Sequence, residues 1–542
     1  MTTGEVPQPT KPATVDTASV DRANVDSVRI DAAPLAGREI VAAILWMILA
    51  DVFLFRAVGF SGPAVFLAAA PILFVALFPN LLARTSARWT IGIMAVVVAR
   101  LIWLGSAWTL VSGIVLVVAI SMIAAGSVPM VLEGIVLASR SLLDGAVRLG
   151  QSRLPQQLGG GAGAKVAQRL LSILLPIVAA GVFGAIFLFA NPDLLERFSA
   201  RLMDAIDGLF QWANRFSAWE IPFCIAALLI GIGLMRPALP LIRFGTLKSD
   251  STPPSSQTHS PWFAAFRNTL VTVIVLFAVY LGFEWLTLWR REFPAGFYYA
   301  GYAHQGAAWL TVALALATGM LSLIFRGSIL ADPRLASLKR LTWVWSGANL
   351  LLAVAVYNRL LIYVGYNGMT QMRTVGFFGI TLVVIGFALV LYKIRRGRNF
   401  WWLIRTQLVA LVLTIIAYSV FPVDYVTSRY NASRVAQGYL PPSVMIAVKP
   451  TNDEGVAPLL DLVDCEDEII REGVLAILAQ RHSGLQYLAR QHGGAHWTAY
   501  QGSQSWLRNQ LAANASKWSE FESHDKRSDA IRRFEEYAMQ WY

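Results

Sequence analysis

The chain has 542 residues, of which 56% are hydrophobic and only 14% charged, and its mean hydropathy is +0.54. Soluble domains carry about 25% charged residues, so an ordinary water-soluble globule is excluded. The formal charge of +12 is uneven. Residues 1–421 hold all of the basic excess and residues 422–542 are slightly acidic. The positive charge therefore belongs to membrane loops, not to the clustered basic face of a nucleic-acid-binding domain.

In chain order, residues 1–37 lack aromatics and an apolar stripe and read as a disordered tail. No cleavable leader is visible ahead of the first apolar run near Ile40, so that run is expected to insert and stay. Apolar blocks follow at about 39–55, 62–80, 89–103, 107–127, 169–190, 218–236, 265–289, 306–325, 341–364, 374–392 and 400–421. Most have the length that crosses a hydrocarbon core of about 30 Å. Lipid cannot satisfy backbone polar groups, so such blocks must be helices. The expected fold is an all-α polytopic transmembrane bundle of about eleven spans, with a small helical extramembrane C-terminal region. It divides into a cytoplasmic tail (1–37), a first membrane half (38–247), a linker (248–262) containing Ser-Thr-Pro-Pro-Ser-Ser, a second membrane half (263–421) and an extracytoplasmic tail (422–542). No repeat relates the halves, so an inverted-repeat transporter gains no support.

Lys and Arg alternate between loops. Arg84, Arg140, Arg148, Arg236, Lys339, Lys393 and Arg396 belong to the rich set, and Arg56, Arg197 and Arg290 to the poor one. The positive-inside rule then puts the N-terminus in the cytoplasm and the C-terminus outside. Two connectors read as amphipathic helices lying at the interface: one from Asn191 to about 215 on the outer face, and a weaker one at about 129–150 with Glu133, Arg140, Asp144 and Arg148 on one stripe. The tail suggests helices near 456–482, 503–518 and 525–540, after interruptions at Pro441, Pro442 and Pro450. Its acidic run, from Asp461 to Glu472, reads as a solvated helix face.

Three stretches are unusual. The first, from Glu292 to Gly306, contains Pro294, Gly296, Tyr299, Tyr302 and His304. The second runs from Tyr357 through Arg359, Tyr363, Tyr366 and Gly368 to Arg373. The third, from Pro422 to Arg434, contains Asp424, Arg429, Tyr430 and Asn431. In this order they resemble the Pro-x-Gly-x-x-Tyr-x-x-Tyr-x-Arg-x-Gly, Arg-x-x-x-Tyr…Tyr-Gly-Leu-Thr-x-x-Arg and Asn-Pro-Asp-x-x-x-Ala-Arg-Tyr-Asn-x-x-Arg blocks of a bacterial polytopic membrane-protein family known only as a domain of unknown function. His304 stands where that family carries arginine, and Met369 where it carries leucine. The resemblance implies a multi-span membrane protein and no known activity.

All three blocks fall on the outer face. Their candidate ligand-binding residues are Glu284, Tyr299, Tyr302, His304, Arg359, Tyr363, Tyr366, Arg373, Arg429 and Tyr430. An ionisable residue inside a span costs at least about 2.5–3.5 kcal/mol at a helix centre, so Glu284 and Arg359 are expected to pair. The functional reading is a pocket for an anionic or polyol ligand with arginine donors. The other reading is a structural ion pair beneath an interfacial tyrosine belt. Asp51 and Arg100, also within spans, are expected either to pair with each other or to snorkel to span ends.

His492 and His496 lack companion ligands, so no zinc site is expected. No Walker loop, nucleophile elbow, His-Glu-x-x-His or dinucleotide fingerprint occurs, and no cofactor is expected. Three functions stand side by side: a non-enzymatic envelope protein that senses, scaffolds or assists assembly through partners of its tail; a transporter or channel for a small polar or lipid-like solute; and a membrane-embedded enzyme acting on lipid or glycan, with Glu284 or Asp424 as acid–base group. The expected partners are the bilayer and an envelope protein, not nucleic acid.

Overall fold

The computed structural model describes residues 35–151, 219–237, 260–286, parts of 309–329, 332–492 and 497–541. The expected disordered tail, the span at 169–190, the interfacial helix from Asn191, most of the 248–262 linker and the whole 292–306 loop lie outside the described residues. Among those described the chain is helical, with no strand. The helices are α1 (Gly37–Ala50), α2 (Ser61–Leu77), α3 (Thr85–Trp103), α4 (Ala107–Ala124), α5 (Val131–Gln151), α6 (Glu220–Met235), α7 (Phe263–Glu284), α8 (Leu335–Asn367), α9 (Gln371–Arg396), α10 (Phe400–Val420), α11 (Val423–Ala436), α12 (Ser443–Ala447), α13 (Asp453–Val456), α14 (Glu468–His492), α15 (Gly502–Ala513) and α16 (His524–Ala538). Six of them, α3, α4, α7, α8, α9 and α10, are long and apolar enough to cross a membrane, and α2 and α6 are shorter apolar helices. A helical membrane bundle is thus the fold.

Polar residues set the helix ends. Ser106 caps α4 by accepting from the Thr109 N–H at 3.2 Å. Asn399 caps α10 by accepting from the Trp402 N–H at 2.8 Å. The last turn of α9 carries Lys393, Arg395 and Arg396, and the helix stops at Gly397 in the left-handed region. The cations complement the negative end of the helix dipole, and glycine meets no Cβ penalty there.

Two apolar cores hold the spans. One gathers α1 to α6 around Trp46, Phe74 and Ile120, and takes in Ile416 of α10. The other gathers α7, α8 and α9 around Leu270, Trp345 and Val390, and takes in Leu403 of α10. Helix α10 is therefore shared. Near its end the Ser419 carbonyl accepts from Thr109 Oγ1 at 3.0 Å, and near its start Arg405 pairs with Glu133 of α5. Helix α5, whose charged stripe was read as amphipathic, packs against α6 at backbone contact. A side chain on Gly145 would strike the Leu229 carbonyl, and one on Gly233 the Ser141 carbonyl.

The ends of the bundle differ. At one end, Arg236 meets Glu39 at 2.8 Å. There too Asp332 ties the approach to α7 to the start of α8, accepting from the N–H groups of Ser260 and Arg334, each at 2.8 Å. The Arg334 guanidinium, with those two N–H groups, holds the Asp332 carboxyl well below the usual carboxylate range against the opposing effect of burial. At the other end sits the tail domain, with its own core around Leu478, Leu511, Trp518 and Phe534.

The tail differs from its sequence reading in three places. Residues 423–436 form a further helix, α11. The helix expected from 456 begins at Glu468, because Asp467 accepts from the Ile470 N–H at 3.0 Å and starts it there. The acidic run is also more than a solvated face. Asp464 pairs with Lys517 and Glu472 with Arg533, while Asp467 accepts from the Tyr537 hydroxyl at 2.7 Å.

Candidate functional site

The site starts from a turn. Gly368 ends α8 with φ of 81°, a left-handed conformation that favours glycine, and any side chain there would press on Asn431 and Pro442. Thr370 then caps α9, accepting from the Arg373 N–H at 3.3 Å. Arg373 folds back over the turn. Its guanidinium donates to the Asn367 carbonyl at 2.9 Å and to that of Gly368, and it lies 4.0 Å from the centre of the Tyr363 ring. Asn431 of α11 grips the same turn from the tail side: its Oδ1 accepts from the Met369 N–H at 2.7 Å and its Nδ2 donates to the Met369 carbonyl at 2.8 Å. The tail is thereby fastened to the junction of α8 and α9 by two backbone bonds.

One face of α11 continues into a cleft. Asp424, Thr427, Ser428 and Asn431 recur at helical spacing and line it together with Gln371, Lys449 and Thr451. Gln371 Nε2 donates to Asp424 Oδ1 at 2.5 Å, and the Asn452 N–H to Oδ2 at 3.3 Å. Lys449 is exposed and has no ion-pair or hydrogen-bond partner among the described residues. Thr451 Oγ1 is buried with no hydrogen-bond partner among the described residues. The opposite wall is apolar, with Val312, Leu360, Val375 and Ile380, and with Gly376 and Gly379 on α9. The cavity has a volume of about 800 Å³, within the range of small-molecule sites.

Deeper along α8 lies the expected ion pair. Arg359 Nε donates to Glu284 Oε1 at 2.8 Å and its second terminal nitrogen to Oε2 at 2.5 Å. Tyr280, absent from the sequence reading, joins both: its hydroxyl donates to Glu284 at 2.8 Å and accepts from Arg359 at 2.9 Å. The side chains of Arg359 and Glu284 are 2% and 1% exposed, so the charges meet each other and not solvent.

The ten candidate residues thus divide. Glu284 and Arg359 form the buried pair. Tyr363 and Arg373 line the cleft. Tyr366 keeps a half-exposed ring, and its carbonyl accepts from the Tyr439 hydroxyl at 3.0 Å. Arg429 does not line the cleft; it turns outward to Asp461 at 3.0 Å, both side chains more than half exposed. Tyr430 is half-buried beside it and lines no part of the cleft. Tyr299, Tyr302 and His304 lie outside the described residues.

Of the two alternatives for Asp51 and Arg100, pairing with each other is overturned, and both residues stand near helix ends. Asp51 meets Arg56 at 3.0 Å, within its own helix end. Arg100, one turn from the end of α3, crosses to buried Glu454 of the tail in a two-bond pair whose longer bond is 2.8 Å. Each charge took the nearest counter-charge at the tail-side end, and Arg100 found its own in a domain 354 residues away.

A family model for a domain of unknown function, DUF4153, matches residues 40–446. The chain belongs to the DUF4153 family. The matched region covers about three quarters of the sequence and takes in the bundle, the Gly368 turn, α11 and α12. Lys449, Thr451 and the rest of the tail domain follow it. No curated protein and no solved structure matches the chain.

Proposed function

We propose that this DUF4153 protein is a non-enzymatic, multi-pass component of a bacterial inner membrane, and that its cleft binds an amphipathic ligand of the lipid class. The observation that carries the reading is the pairing of walls. Polar groups from α11 and the 449–451 turn, with the free Lys449 amine among them, face an apolar wall from α8 and α9 across about 800 Å³. An anionic oxygen of a headgroup fits Lys449, headgroup hydroxyls fit Asp424 and Ser428, and an acyl chain fits the wall of Leu360, Gly376, Gly379 and Ile380. The alternation of loop charge supports a cytoplasmic N-terminus and an extracytoplasmic tail. In that orientation the tail domain senses occupancy of the cleft and offers an envelope partner its outer surface.

The test uses Gly379. A Cβ there meets nothing within 4 Å, so Gly379→Leu fills the cleft without a collision at that atom. Native mass spectrometry of the wild type should show a co-purifying lipid, lost in Gly379→Leu and reduced in Lys449→Gln. Equal lipid occupancy in all three proteins would defeat the reading. Solute flux across liposomes that vanishes with Glu284→Gln would replace binding by transport.

A further inference from the structure

Besides the Arg100–Glu454 pair, the tail domain touches the first half of the bundle through one short stretch. Thr498 Oγ1 accepts from the Val58 N–H at 3.3 Å. The Tyr500 carbonyl accepts from Ser61 Oγ. Gln501 accepts from the Gly105 N–H at 2.5 Å and donates to the Leu101 carbonyl at 3.3 Å. These partners lie in or beside the two connections from α1 to α2 and from α3 to α4, so the stretch lies level with the tail-side ends of α3 and α4, both long and apolar enough to cross a membrane.

Docking uses only part of it. Thr498, Ser503 and Leu507 are buried. Trp497, Tyr500 and Trp506 are 56%, 52% and 36% exposed. Both tryptophans stand against aromatics of the span ends: Trp497 is 5.7 Å from Phe53 and Trp506 is 6.0 Å from Trp103, ring centre to ring centre. Beyond Gly105, α4 presents an exposed apolar strip of Trp108, Val111 and Val115. On a helix long and apolar enough to cross a membrane such a strip suits lipid, and the tail stretch docks at Gly105, just before the start of that helix.

We infer that the segment Trp497–Trp506 is a membrane-seating surface whose partner is the headgroup layer of the bilayer. Indole and phenol suit that layer because the ring enters the acyl boundary while the N–H or O–H bonds to headgroups and water. The segment lies beyond the region matched to the family, and its aromatics keep a third or more of their surface exposed after docking on the bundle. The tail domain therefore rests on lipid as well as on protein, whatever occupies the cleft.

The test uses the full chain in nanodiscs. A nitroxide is placed on Tyr500→Cys or Trp506→Cys, with Cys224 and Cys465 changed to serine. Ser519→Cys, exposed beside Glu520, serves as the aqueous reference. The ratio of collisions with oxygen to collisions with a water-soluble nickel chelate should be several-fold higher at 500 and 506 than at 519. Equal ratios would overturn the inference. As a check free of labels, quenching of tryptophan by lipids brominated near the headgroup should fall in Trp497→Phe/Trp506→Phe, and quenching unchanged from wild type would also overturn it.

Discussion

The polar residues at Arg359 on α8 and those around Asp424 on α11 both lie on the tail side of the bundle, yet they meet opposite surroundings. Arg359 is sealed with Glu284 and Tyr280 at bond distance. Asp424 shares its cleft with a lysine amine that has no partner among the described residues and with a threonine hydroxyl buried without one. The difference follows depth. Inside a span a charge must bring its counter-charge, because desolvation costs several kcal/mol per ion. At the tail-side end, water and headgroups can satisfy a polar group, so a polar wall can stand open. A structural cluster and a binding cleft can thus be built from similar residues a few turns apart.

The largest expected effect breaks the sealed cluster. Glu284→Gln or Arg359→Met leaves one buried charge unmatched and should cost about 3–5 kcal/mol, whereas Glu284→Met/Arg359→Met should recover most of it. Thermal unfolding in nanodiscs measures this. A single variant as stable as wild type would mean that the pair is not structural and would reopen it as a ligand site.

The clamp comes next. Asn431→Ala removes two bonds to Met369 and leaves its buried backbone groups unpaired, at about 1–3 kcal/mol for each group. The tail should loosen from the turn, and limited proteolysis between 367 and 371 should quicken. Unchanged cleavage would show that the Arg100–Glu454 pair and the docking of residues 498–501 hold the tail without the clamp.

How much of this was legible follows from the same physics. The apolar blocks announced the helical bundle, and the cost of burying charge announced the Glu284–Arg359 pair. That argument requires a partner without naming it, which is why Arg100 was offered Asp51 when its partner was Glu454 in the tail. The clamp and cleft depend on helical phase. Once 423–436 is a helix, Asp424, Thr427, Ser428 and Asn431 share a face, and Arg429, about 140° from Asp424 at 100° per residue, points elsewhere. The pattern of 423–436 announces no helix, so outer-face placement and the family block set Arg429 beside the other arginines without regard to helical phase. Tyr280 gave no signal of its own, being one more aromatic in an apolar span.

A smaller effect separates cleft from core. Gly379→Leu should raise stability by about 0.5–1 kcal/mol, because glycine inside a helix is unfavourable by roughly that amount, while removing bound lipid. Opposite signs for stability and occupancy are what an open cleft predicts. A loss of both would mean that the space beside Gly379 is packed core.

The smallest effect is the control for the comparison. Arg429 and Asp461 are solvent-exposed partners, and exposed pairs contribute about 0–1 kcal/mol. Arg429→Ala should therefore leave the unfolding temperature nearly unchanged and, because Arg429 does not line the cleft, leave lipid occupancy at the wild-type level. Lys449→Gln, also a surface cation change, should lower occupancy at equally small stability cost. The two variants remove the same charge within the same domain, and of the two side chains the cleft is lined by Lys449 alone. Equal loss of lipid in both would show that net charge of the tail, and not the cleft, recruits the ligand.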